Sequence, residues 1–315
     1  MTDQGGYDDE GYNALAHGLA TFDFPRDVVR VSGPDAEGYL QGQLSQDVAA
    51  LAPGAWAWAL VLAPQGKLDA FVRVYRPAAE EFVLDTDAGM GPALVARLLR
   101  FRLRTKADVE QLEWRAVAVR GPGTASPSWS GAPGDDVVAV PFQWGGLTGY
   151  DLLGTHPVAP HGAFAVSTDA YEAARIEAGF PRHGAELDER TVPAEAGLVE
   201  ASVSFTKGCY TGQELVARID SRGSNVPRHL RGLRLSGPAA PGELLYRPAP
   251  AAKGDVREAK EVGRLTSVAR SPKRGWVALG YVGRAVTIGE SLVVAGGAVP
   301  VQAEVNLLPL SSDGR

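Results

Sequence analysis

One cysteine in 315 residues, Cys209, sets the first limits. A single thiol excludes an intrachain disulfide, a cysteine-based zinc cage and a permanent four-cysteine iron–sulfur site within the chain. Five histidines, at 17, 156, 161, 183 and 229, show no ligand spacing, so no metal site is expected. No apolar run approaches the roughly 18 residues of a membrane-spanning helix. The first twelve residues carry Asp3, Asp8, Asp9 and Glu10. They lack the basic start and apolar core of a signal peptide, so 1–12 reads as a disordered acidic tail and the chain as cytoplasmic. There is no phosphate loop, no G-x-G-x-x-G fingerprint, no H-E-x-x-H and no G-x-S-x-G elbow. A net charge of −6 argues against a general electrostatic grip on nucleic acid.

What is present is ordinary in bulk and particular in one place. Hydrophobic residues make up 45% and charged ones 22%, the balance of a globular chain long enough for two or three domains. The particular place is Phe205-Thr-Lys-Gly-Cys-Tyr-Thr-Gly-Gln-Glu-Leu-Val-Ala-Arg-Ile219. Thr211 and Glu214 stand three apart before an apolar stripe, the pattern of a capping box. That spacing predicts a helix starting two residues after Cys209. The dipole end and Lys207 would then favour thiolate over thiol. Gly208 and Gly212 would let the backbone turn tightly around the sulfur. The bland alternative is a buried structural cysteine.

Taken in order, the chain alternates strand and helix before turning wholly to strand. Asp27–Val31 reads as a strand, and Ser32 as the cap of a helix running to about Leu44. Gln41, Gln43 and Asp47 are polar in that amphipathic stretch: either solvated, or one wall of a cleft. Trp56–Ala63 and Leu68–Arg76 form a hairpin across Pro64-Gln-Gly-Lys67, with Asp69 at the start of the second strand. Pro92 to about Arg104 reads as a helix with Leu94, Val95, Leu98, Leu99 and Phe101 inward and Arg97, Arg100, Arg102 and Arg104 in solvent. Gly121 to Asp136, rich in Gly, Pro and Ser, marks a boundary. Two strands and a helix from Thr168 to Gly179 follow, capped by Thr168 or Asp169. Arg218, Arg222, Arg228, Arg231 and Arg234 make the densest cationic stretch. Either alternating strand positions place some of them in solvent, or they suit a polyanion such as a polyglutamate tail or an RNA backbone. From Arg231 on, short strands in succession predict a small β-barrel, with Pro238 to Glu258 as an excursion.

Lys207-Gly-Cys-Tyr-Thr-Gly-Gln-Glu214 resembles the K-G-C-Y-x-G-Q-E signature of the YgfZ family, folate-binding proteins linked to iron–sulfur cluster maintenance and tRNA modification. That family is related to the glycine cleavage T-protein, an aminomethyltransferase. Tyr39-Leu-Gln-Gly-Gln-Leu-Ser-Gln-Asp-Val48, Arg175-Ile-Glu-Ala-Gly179 with Pro193-Ala-Glu-Ala-Gly-Leu198, and Gly263-Arg-Leu-Thr-Ser267 with Gly280-Tyr-Val282 resemble further blocks in the same order. The resemblance implies an α+β, T-protein-like arrangement: ferredoxin-like α+β portions at 13–120 and 121–227, and a C-terminal β-barrel at 228–315, around a central folate cleft. It implies tetrahydrofolate or a derivative as cofactor, with Asp69, Glu177 and Glu195 as acidic anchors and Gln41, Gln43, Tyr210 and Gln213 lining the site. Cys209 and Lys207 would be the chemical groups, with Asp69 a general acid or base. Folate, iron–sulfur proteins and tRNA-modifying enzymes are the implied partners. Three readings stand on the sequence: a cluster-maintenance protein, an aminomethyltransferase passing a one-carbon unit to tetrahydrofolate, and a non-catalytic adaptor.

Overall fold

In a computed structural model the described residues are 9–125, 136–223, 225–248, 260–295 and 300–310. Residues 1–8 of the expected tail, 126–135 of the expected boundary and 249–258 of the expected excursion lie outside them.

Three β-layers meet at one centre. The first is a five-stranded antiparallel sheet in the order Trp56–Leu62, Leu68–Ala78, Glu81–Asp87, Arg26–Ser32, Asp108–Leu112. One face carries the helices Ala36–Gln43 and Gly91–Phe101, sealed by Val29, Leu40, Val72, Leu84, Leu94 and Leu98, none more than 2% exposed. The second sheet runs Phe164–Ala165, Ala20–Asp23, Arg115–Arg120, Leu147–Gly154, Val137–Trp144. The expected 13–120 portion thus lends two strands, Ala20–Asp23 and Arg115–Arg120, to the sheet of the portion that follows it. The third layer is a closed barrel of six strands between Arg228 and Asn306, as the run of short strands predicts.

Several helix ends depart from the sequence reading. Asp9–Tyr12 is not tail but the start of a helix, Asp9–His17. Its acids suit the dipole end, and Tyr12 and Leu15 bury against the helix Thr168–Ala178. The helix after Ser32 begins at Ala36 with Asp35 at the cap position. The helix Thr168–Ala178 is capped by Ser167, whose hydroxyl accepts from the Ala170 amide. Gly179 closes it at φ 70°, the left-handed residue the sequence places there.

Two charged networks lock the layers together. Arg26 and Arg73 both pair with Asp85 in the first sheet, at 2.8 and 2.9 Å. Arg73 also reaches Asp151 of the second sheet at 2.7 Å, and Arg120 pairs with Asp151 at 2.8 Å. Burial alone would raise the Asp85 carboxyl, but Arg73 and Arg26 outweigh it and hold it below its ordinary value. The second network fastens the helix Thr168–Ala178 to the barrel. Arg175 binds Glu186 at 3.1 Å and the Ser267 hydroxyl at 2.7 Å, while Tyr281 donates to the Glu186 carbonyl. Between the layers lies an aromatic centre, with Trp58 stacked on Phe71 at 4.8 Å and Phe142, Trp144 and Phe180 around it.

Candidate functional site

The loop 205–213 sits where three segments converge. Lys207 reaches back to the end of the helix Ala36–Gln43 and donates to the carbonyls of Gln41, Leu44 and Gln46 at 2.6, 2.7 and 2.9 Å. All three ammonium protons are committed to backbone. Burial lowers this ammonium to about 8, against the pull of Asp47. The Ser204 amide donates to Ser45 and the Thr211 amide to Gly42, so the loop is stitched to the same segment on both sides of the cysteine. Gly212 stands at φ +82°, and a Cβ there would lie 2.6 Å from the Ala63 carbonyl oxygen. The hairpin turn 63–67 therefore presses against the loop where only glycine fits.

The helix that follows is Gln213–Asp220, with Gly212 at its cap and no side-chain cap bond. This corrects the capping-box reading: the glycine conformation, not the Thr211 hydroxyl, starts the helix. Cys209 lies four residues ahead of Gln213, beyond the first turn over which the dipole acts. Its thiol is exposed, and so is the neighbouring Phe205 at 53%. The buried-cysteine alternative is excluded. Tyr210 takes the inward place instead, 9% exposed, with the Lys207 nitrogen 5.1 Å from its ring centre. Its own hydroxyl is pushed up to about 12 by burial. The Gln213 side chain folds back to accept from the Tyr210 amide at 3.1 Å.

The other expected residues fall into separate places. Gln41 is consumed locally: it donates to Asp47 at 2.8 Å and accepts from the Val48 amide at 2.9 Å. Gln43 and Asp69 are joined by Arg97, which donates to them at 3.0 and 2.8 Å and to the Leu62 carbonyl at 2.8 Å. Arg97 is thus a tie, its side chain 11% exposed and 4.0 Å over the Phe101 ring, not a solvated charge. The spacing of 94, 97, 98 and 101 puts it on the inward stripe and could have shown this. Leu99 is 42% exposed, correcting its inward assignment. Asp69 and Arg97 line a cavity of about 470 Å³. Glu177 lines another, of about 370 Å³, where it accepts from the Tyr12 hydroxyl at 2.7 Å beside Arg274. Glu195 is 7% exposed and bound to Arg228 at 2.9 Å. The three acids therefore do not face one space. Of the five arginines of the cationic stretch, Arg218 and Arg222 are exposed, while Arg228, Arg231 and Arg234 are half-buried on the barrel strand.

A further cavity, of about 530 Å³, opens between strand ends of the first two sheets, at Asp87 and Asp23, and the helix Thr168–Ala178. Its walls are Phe22, Phe24, Tyr171 and Phe180, with Phe22 against Tyr171 at 4.0 Å. Glu172, Arg182, His183 and Asp87 add polar groups. The Tyr171 hydroxyl is buried with no hydrogen-bond partner among the described residues, and burial pushes it up to about 12. A buried hydroxyl without a partner is costly unless a ligand or water completes it.

Comparison with known proteins gives this loop its context. An uncharacterized protein of Haemophilus influenzae is 32% identical over 202 residues, 63% of this chain and 67% of that protein. An iron–sulfur cluster assembly factor IBA57 homolog, mitochondrial, of Pyricularia oryzae is 29% identical over 264 residues, 79% of this chain and 65% of that protein. The chain belongs to the YgfZ family, relatives of the glycine cleavage T-protein. The chain spans about two thirds of the length of these relatives. No family model matches it. The crystal structure of glycine cleavage system aminomethyltransferase T from Bartonella henselae superposes with a TM-score of 0.81 over 96% of this chain and 89% of that one, at 23% identity. The T-protein fold expected from the YgfZ resemblance is the fold observed, barrel included. Among the described residues, no helix is long and apolar enough to cross a membrane.

Proposed function

We propose that the chain supports iron–sulfur cluster assembly or maintenance, with the Cys209 thiol as the group that meets the cluster or its carrier. The observation that carries this is the exposed sulfur on a loop held by Lys207 through three backbone carbonyls. One thiolate per chain can supply one ligand, so the cluster would be cargo shared with a partner, not a resident group. The cluster-assembly role in the name of the fungal relative agrees with it. Effects on tRNA modification would follow through cluster-dependent modifying enzymes, and any direct RNA contact would rest on the exposed Arg218 and Arg222. The test is complementation of cells lacking the chain, read as the activity of an iron–sulfur enzyme. Wild type restores it; Cys209→Ser, folded and equally abundant, does not. Full rescue by Cys209→Ser would end the proposal.

A reduced folate is the cofactor the fold suggests, and the expected acids fit it poorly because Asp69 and Glu177 line different cavities and Glu195 is buried against Arg228. The aromatic cavity fits it better. Phe22, Phe24, Tyr171 and Phe180 offer flat apolar walls for a pterin, and Arg182, exposed and paired with Glu172 at 3.0 Å, suits a carboxylate tail. Folate would supply a one-carbon carrier or a redox-active ring there. Titration with tetrahydrofolate, followed by tryptophan fluorescence, should show binding that Tyr171→Ala weakens and Glu177→Ala does not. The aminomethyltransferase reading needs Asp69 beside the folate, and Asp69 is tied to Arg97 in a different cavity.

A further inference from the structure

A cavity of about 970 Å³ opens between the turn 184–191 and the barrel, apart from Cys209 and from the aromatic cavity. Arg190, Arg228, Arg247, Lys260, Arg264 and Arg284 line it. This concentration of cations stands against a chain of net charge −6. Internal pairing accounts for half of them. Arg190 meets Asp188 at 3.2 Å, Arg228 meets Glu195 at 2.9 Å and Arg247 meets Glu290 at 2.6 Å. Glu186, also on the wall, is neutralised by Arg175 from behind. Lys260, Arg264 and Arg284 are exposed and form no salt bridge among the described residues, and the remaining wall acid is Glu261. Three cations face one carboxylate across a concave surface, which focuses positive potential into the cavity.

The wall is not wholly polar. Leu187, Val262, Tyr281 and Val286 supply an apolar floor. Arg228 lies 4.3 Å over the Tyr281 ring, fixed there by its bond to Glu195. A planar guanidinium on an aromatic ring is a prepared surface for an anion with an organic body.

We propose that this cavity binds a small molecule that carries two or more negative charges on an apolar or ring-bearing body. Phosphate and carboxylate share this chemistry, and the probes separate them. Calorimetric titration of the whole chain at low salt would use ATP, inorganic pyrophosphate and citrate. At least one organic anion should bind, more tightly than pyrophosphate, and weaken as salt rises. ATP alone would assign a phosphorylated ligand, and citrate alone a polycarboxylate. Arg264→Glu and Arg284→Glu should each lower affinity about tenfold, a loss of about 1.4 kcal/mol. Both side chains are exposed, so both variants should fold, which circular dichroism confirms. Arg104→Glu, an exposed cation elsewhere, is the control. Absence of heat with all three anions would overturn the proposal. So would equal weakening by Arg104→Glu, which would mean bulk charge, or displacement of every anion by a short RNA, which would make the wall a nucleic-acid surface.

Discussion

Replacing Lys207 by Met separates two roles for this residue: an electrostatic activator of Cys209, or a clamp on the loop. The three carbonyl bonds favour the clamp, because the ammonium protons point at Gln41, Leu44 and Gln46. A hydrogen bond to a charged group is worth about 1.5–3 kcal/mol. Two effects reduce the total. The half-buried ammonium has already lost hydration, which is why it sits at about 8. The freed carbonyls can also take up water. A net loss of about 2 kcal/mol is expected, read as a shift of the urea midpoint with unchanged slope. Hydrogen exchange gives the local readout. The amides of Ser204 and Thr211, bonded to Ser45 and Gly42, should lose protection in Lys207→Met while the barrel strands keep theirs. Lys207→Arg sharpens the test. A guanidinium keeps the charge but spreads its donors in a plane and cannot converge on three carbonyls as a point-like ammonium does. It should therefore resemble Lys207→Met in exchange. Full protection of Thr211 in Lys207→Arg, or in Lys207→Met, would refute the clamp.

Two other predictions follow from the same contacts. Gly212→Ala should destabilise the chain by about 1–3 kcal/mol and expose the loop to proteolysis, because φ +82° and a Cβ 2.6 Å from the Ala63 oxygen leave no room; thermal melting with limited proteolysis checks it. The folded Asp85 carboxyl is held below its ordinary value, so its contribution to stability is present above the unfolded value of about 3.9 and is lost as pH falls through the lower folded value. Asp85→Asn should cost about 3 kcal/mol near neutral pH by removing the anion that Arg26 and Arg73 share, leaving Arg26 with Asp87 and Arg73 with Asp151. Its deficit against wild type should shrink below about pH 4; urea melts at several pH values measure it.

The elements that rest on local pattern were legible in the sequence. The hairpin around 63–67, the helix ending at Gly179 and the run of barrel strands follow from alternation, turn residues and a left-handed glycine, all set within a few residues. The assignment of Ala20–Asp23 and Arg115–Arg120 to the second sheet was not, because pairing across about a hundred residues leaves no local trace. Helix starts failed for a related reason. Ser32 and Thr211 have good cap chemistry, but Asp35 and Gly212 hold the cap positions because the packing of neighbouring segments fixes the backbone there.

The site divides along the same line. The motif loop was visible as a motif, yet the residues that fix its place find their partners elsewhere in the chain. Lys207 needs the carbonyls at 41–46, Gly212 needs the hairpin turn, and Gln43 with Asp69 needs Arg97. Backbone carbonyls are supplied by any residue, so no side-chain pattern announces them. The aromatic cavity is built from Phe22, Phe24, Tyr171 and Phe180, three segments that no motif joins. An exposed thiol and an aromatic-walled cavity ask for different ligands: the first meets a surface brought to it, the second takes in a small molecule. If the two act in one process, they communicate through the packed centre, where Tyr210 of the motif and Phe180 of the cavity belong to one cluster. Trimming Phe180 to Leu should then alter both folate binding and Cys209 alkylation rates, whereas independent sites would change the first alone.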